Sequence, residues 1–303
     1  MQNLILTGGS GLLALNWAFN KKDDCRLTLL LNKRKISING VNFLFINLES
    51  KKTIYDFLSN QKNCVVIHCA ANTSVEECEN NPKLADKTNA QISIRLAKIC
   101  FKLKIRFVHI SSDHIFSGLN SFSSEESKIN PQNVYAVSKS KAEAGILKEN
   151  PDALIIRTNF FCWGTPYRSS FSDFLVNSLR KKENIFLYTN IFYTPIYSKY
   201  LIELVHELIS RKISGIFNVV GNERVSKYSF GKMAFKSFGG DLNLITQAKY
   251  DFKKNLIKRP LDMSLSNHKL KTYLNLKIVD LETQIEQLKL DEIKFKSFIN
   301  LSG

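Results

Sequence analysis

Short apolar runs of strand length alternate with helical patterns through the first half of the chain, and this alternation restricts the fold more than any other feature. The predicted strands are residues 3–7, 26–31, 42–47, 64–68, 106–111 and 153–157. The predicted helices between them include residues 52–59, residues 82–102 and a helix that opens near Tyr135. Strands that are apolar almost throughout are typical of a parallel sheet covered on both faces. The sequence therefore predicts an α/β fold with a doubly wound parallel sheet.

A glycine turn, TGGSGLLA at positions 7–14, directly follows the first predicted strand and opens a helix. Glycines allow a tight turn and a close approach to a pyrophosphate, whose charge is stabilised at a helix N-terminus. Gly8 and Gly11 keep the G-x-x-G spacing, and Ala14 stands where a third glycine often closes the fingerprint. We therefore predict a Rossmann-type domain whose glycine turn binds a dinucleotide through Gly8, Ser10, Gly11 and Leu12.

The residues after the second predicted strand bear on the choice of dinucleotide. NAD sites usually place an acidic residue there to bind the ribose hydroxyls, whereas Asp23 and Asp24 precede this strand. Asn32 can bond a hydroxyl without repelling a phosphate, and Lys33 and Arg34 can neutralise a 2′-phosphate. This favours NADPH, with NADH as the second choice. The alternative is that Lys33 and Arg34 are solvated loop cations in a lysine-rich chain.

Three groups suited to carbonyl chemistry occur in order along the chain. Ser111 and Ser112 end a predicted strand, where they either present hydroxyls beside a nicotinamide or simply terminate the strand. Tyr135 and Lys139 are spaced i and i+4, which places them on one face of a helix. A free tyrosine has a pKa of ~10, and a nearby ammonium stabilises the phenolate and lowers that value. We predict that Tyr135 is a proton donor tuned by Lys139. Asp113 either caps a turn or contacts substrate.

Composition argues against several classes of function. The net charge of +16, from 43 Lys and Arg against 27 Asp and Glu, suits anionic ligands, but no basic block marks a nucleic-acid binder. The six cysteines form no C-x-x-C pair, so we predict reduced thiols and no metal site. No apolar run approaches the ~18 residues that span a bilayer, and no secretory signal is apparent. We expect a cytoplasmic protein without membrane insertion.

The second half of the chain is less regular. It predicts helices at residues 172–181, 198–210, 227–238 and 279–298, and one more buried strand at residues 215–221. We expect a dinucleotide-binding Rossmann domain at residues 1–164 and, at residues 165–303, a mainly substrate-binding lobe with some segments that return to the sheet. Because ligands of open parallel sheets bind at the carboxyl ends of the strands, we expect the smaller lobe to pack there.

Taken together, these motifs resemble the extended short-chain dehydrogenase/reductase family, and most closely its dTDP-4-dehydrorhamnose reductases. The supporting segments are TGGSGLLA (7–14), VVIHCAANTSVEECENNPKLADKTNA (65–90), HISSDHIFSG (109–118), NVYAVSKSKAE (133–143), LIIRTNF (154–160), YTP (193–195) and KRPLDMSLSNHKL (258–270). The resemblance implies NAD(P)H-dependent reduction of a keto group on a nucleotide-activated deoxysugar. It most closely implies the conversion of dTDP-4-dehydrorhamnose to dTDP-rhamnose for a surface polysaccharide.

The resemblance also implies a role for each matching residue. Ser112 orients the substrate carbonyl, Tyr135 is the general acid, and Lys139 tunes Tyr135 and binds the cofactor ribose. The resemblance adds Ala70, Ala71 and Asn89 on the cofactor side, Asn89 as a support for the active-site geometry. On the substrate side it adds Asp113, Asn159, Trp163 and Arg259, of which Trp163 and Arg259 are equally compatible with a structural role.

The chain departs from the reductases just before Thr194. Those enzymes commonly carry an Asp-Gln pair there, whereas this chain has NIFY at positions 190–193. The sugar is therefore less firmly predicted than the reaction class. The alternatives are an epimerase or dehydratase of the same superfamily, a non-catalytic regulatory subunit that binds dinucleotide, and, less favoured, a nucleic-acid-binding protein. The expected partner is a nucleotide-sugar substrate, and a homodimer is compatible with the sequence.

Overall fold

Strands and helices alternate through the first half of the chain in the computed structural model, which describes residues 1–251 and 257–300. The elements are β1 (Gln2–Thr7), α1 (Leu12–Lys21), β2 (Cys25–Leu31), β3 (Asn42–Phe45), α2 (Lys51–Ser59), β4 (Cys64–His68), α3 (Val75–Asn80), α4 (Pro82–Ala85), α5 (Ile92–Lys102), β5 (Arg106–Ile110), α6 (Val134–Glu149) and β6 (Leu154–Arg157). A π-helical turn (Asp86–Gln91) joins α4 to α5, and a 3₁₀ turn (Asp113–Ile115) follows β5.

Short strands and longer helices make up the second half. They are β7 (Phe160–Phe161), α7 (Phe171–Lys181), β8 (Ile185–Tyr188), β9 (Phe192–Tyr193), β10 (Ile196–Tyr197), α8 (Ser198–Ser210), β11 (Gly215–Asn218), β12 (Val225–Ser226), α9 (Lys227–Ser237), β13 (Ile245–Ala248), α10 (His268–Leu274) and α11 (Leu281–Asn300). The two-stranded β8–β13 sheet and α10 were not predicted. β8 exposes alternate side chains, which is a weaker sequence signal than a fully apolar strand.

A seven-stranded sheet is the centre of the molecule. Its order is β11-β6-β5-β4-β1-β2-β3, and every neighbouring pair is parallel. The chain leaves β1 in one direction across the sheet and returns to β4 on the other side of β1. In open α/β sheets this reversal opens a crevice beyond the carboxyl ends of the strands. The predicted α/β fold with a doubly wound parallel sheet is confirmed, and β11 adds a strand from the second half.

The predicted helix at residues 82–102 is interrupted in the structure. It forms α4, the π-helical turn and α5, and Asn89 lies in the π-helical turn. Single π turns inside helices are rare and often occur at functional sites. Apolar periodicity predicts the helical segment, but it carries no signal for one extra residue in a turn.

Within the described residues, no helix combines the length and apolar character needed to cross a bilayer. Those residues also contain no group of three or more His, Cys, Asp or Glu side chains arranged to hold a metal ion. The last helix is attached to the core through Leu281, Ile285 and Leu288, each at most 2% exposed. The predicted packing role of this apolar series is therefore confirmed.

A buried ion pair attaches α6 to the sheet. Glu143 on α6 accepts two hydrogen bonds at 3.1 Å from Arg157 Nε and one at 2.7 Å from Arg157 Nη2, at the end of β6. The same carboxylate accepts a hydrogen bond from Ser111 Oγ, after β5. Both charged side chains are 1–2% exposed. Charges buried this deeply are retained only when each is paired and hydrogen bonded, so the orientation of α6 depends on this contact.

We predict that Arg157→Met lowers the free energy of unfolding by about 3–5 kcal/mol, because it leaves the Glu143 carboxylate buried and unpaired. The control is Arg211→Met, which removes an exposed pair with Glu207 on α8 and should cost less than about 1 kcal/mol. Denaturant unfolding followed by circular dichroism measures both values. Equal losses in the free energy of unfolding would show that the buried pair contributes no more stability than an exposed one.

Candidate active site

The carboxyl ends of the central strands open into two cavities that share Gly8. The larger has a volume of about 330 Å³, and the predicted site residues that line it are Gly8, Gly11, Leu12, Ala71, Ser112, Asp113, Tyr135, Lys139, Asn159 and Arg259. The smaller has a volume of about 160 Å³, and the predicted site residues that line it are Gly8, Ser10, Asn32 and Ala70. Most residues selected from separate motifs therefore lie together in one cleft at the topological switch point.

The glycine turn brings the backbone of Gly8 against the loop that follows β4. Gly8 has φ +66°, and a Cβ built on it would meet the Ala70 N and Cα atoms at 2.9 Å. Gly11 N donates to Gly8 O at 2.8 Å, and Gly11 gives α1 no side-chain cap. The first turn of α1 lines the larger cavity, so its unpaired amides are available to an anion. This cradle and the paired cavities fit a dinucleotide.

An asparagine cap sets where α6 begins and hence where Tyr135 stands. Asn133 Oδ1 accepts from Ala136 N at 2.9 Å, and Asn133 Nδ2 donates to Lys258 O at 3.0 Å. The helix therefore starts at Val134, which places Tyr135 in its first turn. Lys139 follows one turn later and is 2% exposed. The cap also ties the start of α6 to the segment that carries Arg259.

Burial controls the ionisation of Tyr135. It raises the pKa of the phenol to about 12, and the neighbouring Ser112 hydroxyl only partly opposes this. The prediction that Lys139 lowers this pKa is wrong for this structure, because Lys139 Nζ donates to Ile110 O at 2.7 Å and lies 3.1 Å from His109 Nε2. The phenol consequently keeps its proton at neutral pH, as a proton donor must.

Lys139 itself has a depressed pKa. Burial lowers its value to about 8, while the Glu143 carboxylate, one turn further along α6, raises it. Burial also holds the pKa of His109 well below its ordinary value, so its Nε2 accepts a hydrogen bond from the ammonium. The His68 ring stacks on His109 with centroids 5.4 Å apart, and burial lowers the pKa of His68 to about 3. The ammonium therefore lies among neutral histidines.

Asp113 lines the larger cavity and accepts hydrogen bonds from two neighbouring side chains. Its carboxylate is 2% exposed and accepts from Ser112 Oγ at 3.2 Å and from Asn159 Nδ2 at 2.5 Å. Arg259, on the same cavity, forms an ion pair with Glu76. Carboxylate, amide and guanidinium groups that line one cavity are suited to hydroxyl and phosphate groups of a ligand.

The structure adds three residues that the sequence did not single out. His114 and Arg168 line the larger cavity, and the His114 ring stands edge-on to Tyr135 with centroids 5.6 Å apart. The Lys227 ammonium lies 3.5 Å from the centroid of the Tyr193 ring, and burial lowers its pKa to about 8 while the Asp113 charge raises it. His114 directly follows Asp113, so that motif offered a signal. Lys227 lines neither cavity but interacts with the charge of Asp113, and both it and Arg168 come near these residues only through long-range folding.

Two predicted contacts are corrected. Trp163 is 2% exposed, and its Nε1 donates to Leu288 O at 2.7 Å, so it is a core residue rather than a substrate contact. Asn89 lines neither cavity, because its Nδ2 donates to Asn72 O and to Ser138 Oγ, both at 2.9 Å. From the π-helical turn, Asn89 joins the loop after β4 to α6 instead of contacting cofactor. Lys33 and Arg34 are both exposed and line neither cavity, so their contact with a 2′-phosphate stays a prediction.

A family model described as the RmlD substrate binding domain matches residues 1–293 of the chain. Two curated relatives show the range of similarity. The probable low-salt glycan biosynthesis reductase Agl14 of Haloferax volcanii is 29% identical over 204 residues, 66% of this chain and 68% of the relative. The dTDP-4-dehydrorhamnose reductase of Aggregatibacter actinomycetemcomitans is 24% identical over 304 residues, 95% of this chain and 99% of the relative.

A solved structure shares the whole fold. The dTDP-4-dehydrorhamnose reductase of Bacillus anthracis, crystallised in complex with NADP, superposes with a TM-score of 0.82 at 20% identity. The match covers 96% of this chain and 100% of that one. At this identity the likeness shows the fold alone.

We predict that Gly8→Ala weakens dinucleotide binding, because the new methyl group would meet the Ala70 backbone at 2.9 Å and push the turn out of place. Gly40→Ala is a matched control, since Gly40 has φ +79° but no atom within 4 Å of a built Cβ. Fluorescence titration with NADPH measures both dissociation constants. The prediction fails if the two variants lose the same affinity, because backbone strain alone would then explain the loss.

Proposed function

We propose a function from one premise: the chain belongs to the RmlD substrate binding domain family. It is an oxidoreductase that reduces a keto group on a nucleotide-activated deoxysugar, with NADPH preferred over NADH as the hydride donor. The specific substrate we propose is dTDP-4-dehydrorhamnose, reduced to dTDP-rhamnose for a surface polysaccharide. The names of both curated relatives support a reductase, and the NADP complex of the similar structure supports the dinucleotide.

The observation that carries the proposal is the joint position of Ser112, Tyr135 and Lys139. All three line the larger cavity, together with the start of α1 and its glycine turn. A proton donor, a hydroxyl and a cation therefore face the same space as the proposed pyrophosphate cradle. That space also has an arginine and a buried carboxylate, in Arg259 and Asp113, for the polar groups of a nucleotide sugar.

The mechanism assigns one task to each residue. When bound, the reduced nicotinamide supplies a hydride to the carbonyl carbon. Ser112 donates a hydrogen bond that holds the carbonyl oxygen in place. Tyr135, which is protonated at neutral pH, gives its proton to that oxygen as negative charge develops on it. Lys139, whose ammonium is held by Ile110 O in the wall of the same cavity, binds the cofactor ribose.

Two other functions make different demands on the same site. An epimerase or dehydratase of the superfamily regenerates its dinucleotide within each turnover, so it consumes no NADPH. A regulatory subunit needs the dinucleotide cradle but not the proton donor. The complete Ser112, Tyr135 and Lys139 set in one cavity weighs against a purely regulatory role. Testing a panel of nucleotide keto-sugars for net NADPH oxidation distinguishes the reductase from both alternatives.

We predict that Tyr135→Phe keeps NADPH affinity but lowers keto-sugar turnover by at least about 100-fold, because it removes the transferable proton and little else. Tyr55→Phe, at an exposed tyrosine on α2, is the control and should retain the parent rate. Titration gives the affinity, and NADPH absorbance gives the rate. Parent-like turnover by Tyr135→Phe would refute the assignment.

We predict that kcat/KM is level below about pH 8 and declines above it, because the Lys139 ammonium, with a pKa of about 8, loses its proton in that range. Lys227 also has a pKa of about 8, so a variant must assign the decline. Arginine stays charged to far higher pH, so Lys139→Arg should move the decline upward. Lys141→Arg, on the exposed face of α6, is the control. A decline at the same pH in Lys139→Arg would contradict the assignment.

A further inference from the structure

A tight turn from the second half of the chain crosses the cleft; we call residues 165–168 the strap. Thr165 and Arg168 exchange backbone hydrogen bonds of 2.9 and 3.1 Å, which close the turn. At its base, Gly164 N donates to Asp173 Oδ2 at 2.8 Å, and the same carboxylate belongs to the capping box of α7. The strap is thereby fixed to a helix of the second lobe.

Both walls of the cleft are bonded to the strap. Tyr167 Oη donates to Ser10 O at 3.1 Å, in the glycine turn. Arg168 Nη2 donates to Thr73 Oγ1 at 2.8 Å, in the segment that follows β4. Ser10 lines the smaller cavity, and Thr73 and Arg168 line the larger one. The strap therefore lies where a dinucleotide would pass from one cavity to the other.

Arg34 stacks on the Tyr167 ring of the strap. Its guanidinium carbon lies 4.0 Å from the centroid of the Tyr167 ring. Arg34 is exposed and forms no ion pair with any residue in the described part of the chain. A guanidinium stacked by one face keeps its N–H groups free in the plane, which is the geometry that binds a phosphate with two hydrogen bonds.

The position of Arg34 in the sequence indicates which ligand its free N–H groups would bind. Arg34 comes three residues after the end of β2, where Rossmann domains recognise the 2′ position of the adenosine ribose. Asn32, on the wall of the smaller cavity, is neutral and does not repel a phosphate. An unstacked arginine on an exposed loop loses side-chain conformational entropy when it binds a ligand. Stacking on Tyr167 already restricts Arg34 in the free protein, so less entropy is lost on binding.

We infer that Tyr167 is a positioning residue for cofactor choice: it holds Arg34 over the 2′-phosphate of NADPH and so makes the preference for NADPH over NADH depend on the second lobe. This inference rests on the proposed function only for the identity of the dinucleotide. The Tyr167 hydroxyl donates to Ser10 O and fixes the position of the ring, and the ring in turn stacks on the Arg34 guanidinium.

The test compares dissociation constants of NADPH and NADH, measured by fluorescence titration of the full chain. Arg34→Gln should weaken NADPH binding about tenfold or more and leave NADH binding nearly unchanged. Tyr167→Leu should weaken NADPH binding about two- to fivefold with little effect on NADH. Tyr167→Phe, which keeps the ring, should lose less than Tyr167→Leu. The double variant should lose no more than Arg34→Gln alone, because the two residues act through one contact.

Tyr55→Leu and Lys35→Gln are the controls for loss of an exposed aromatic ring and of a neighbouring loop cation, and neither should change the ratio of the two constants. An unchanged ratio in Tyr167→Leu, or additive losses in the double variant, would overturn the inference while leaving the proposed reduction intact. Failure of the parent chain to bind either dinucleotide would overturn both. Melting temperatures of all variants separate these outcomes from a loss of folding.

Discussion

The buried Glu143–Arg157 ion pair is the contact on which the site depends. Glu143 lies one turn after Lys139 and two turns after Tyr135 on α6, so fixing its carboxylate against β6 fixes the height and rotation of both. The same carboxylate accepts a hydrogen bond from Ser111, the neighbour of Ser112. The buried Glu143 carboxylate therefore fixes α6, which carries Tyr135, against the end of β5, which Ser112 follows. A surface pair would not do so, because exposed ion pairs contribute little and tolerate movement.

The electrostatics of the cleft follow from burial rather than from pairing. Burial raises the pKa of Tyr135 to about 12 and lowers that of Lys139 to about 8, so the phenol stays protonated and the ammonium stays charged at neutral pH. Neutral His109 accepts from the ammonium without cancelling its charge. Charge that develops on a carbonyl oxygen in this cavity would meet a fixed donor and a fixed cation, which is the arrangement that stabilises a transition state most effectively.

Local patterns carry the predictions that the structure confirms, and long-range contacts account for what they miss. Continuous apolar strands predict the parallel sheet, and the glycine turn and the i, i+4 spacing of Tyr135 and Lys139 place these groups correctly, since each is fixed within a few residues. The strap has no such signal, because Tyr167 contacts Arg34 and also Ser10, which lies 157 residues earlier in the chain. Trp163 has the same amphipathic chemistry in a core as in a binding site, so only its burial distinguishes them.

The central claim is a net reduction at a sugar carbon, and isotope transfer tests it most directly. The parent chain is incubated with NADPH that carries deuterium at the transferable nicotinamide position and with dTDP-4-dehydrorhamnose, and the product is examined by NMR and mass spectrometry. A net reduction predicts one deuterium on the new carbinol carbon and one NADPH consumed for each molecule of product. An epimerised or dehydrated product without deuterium, formed with no net loss of NADPH, would contradict it.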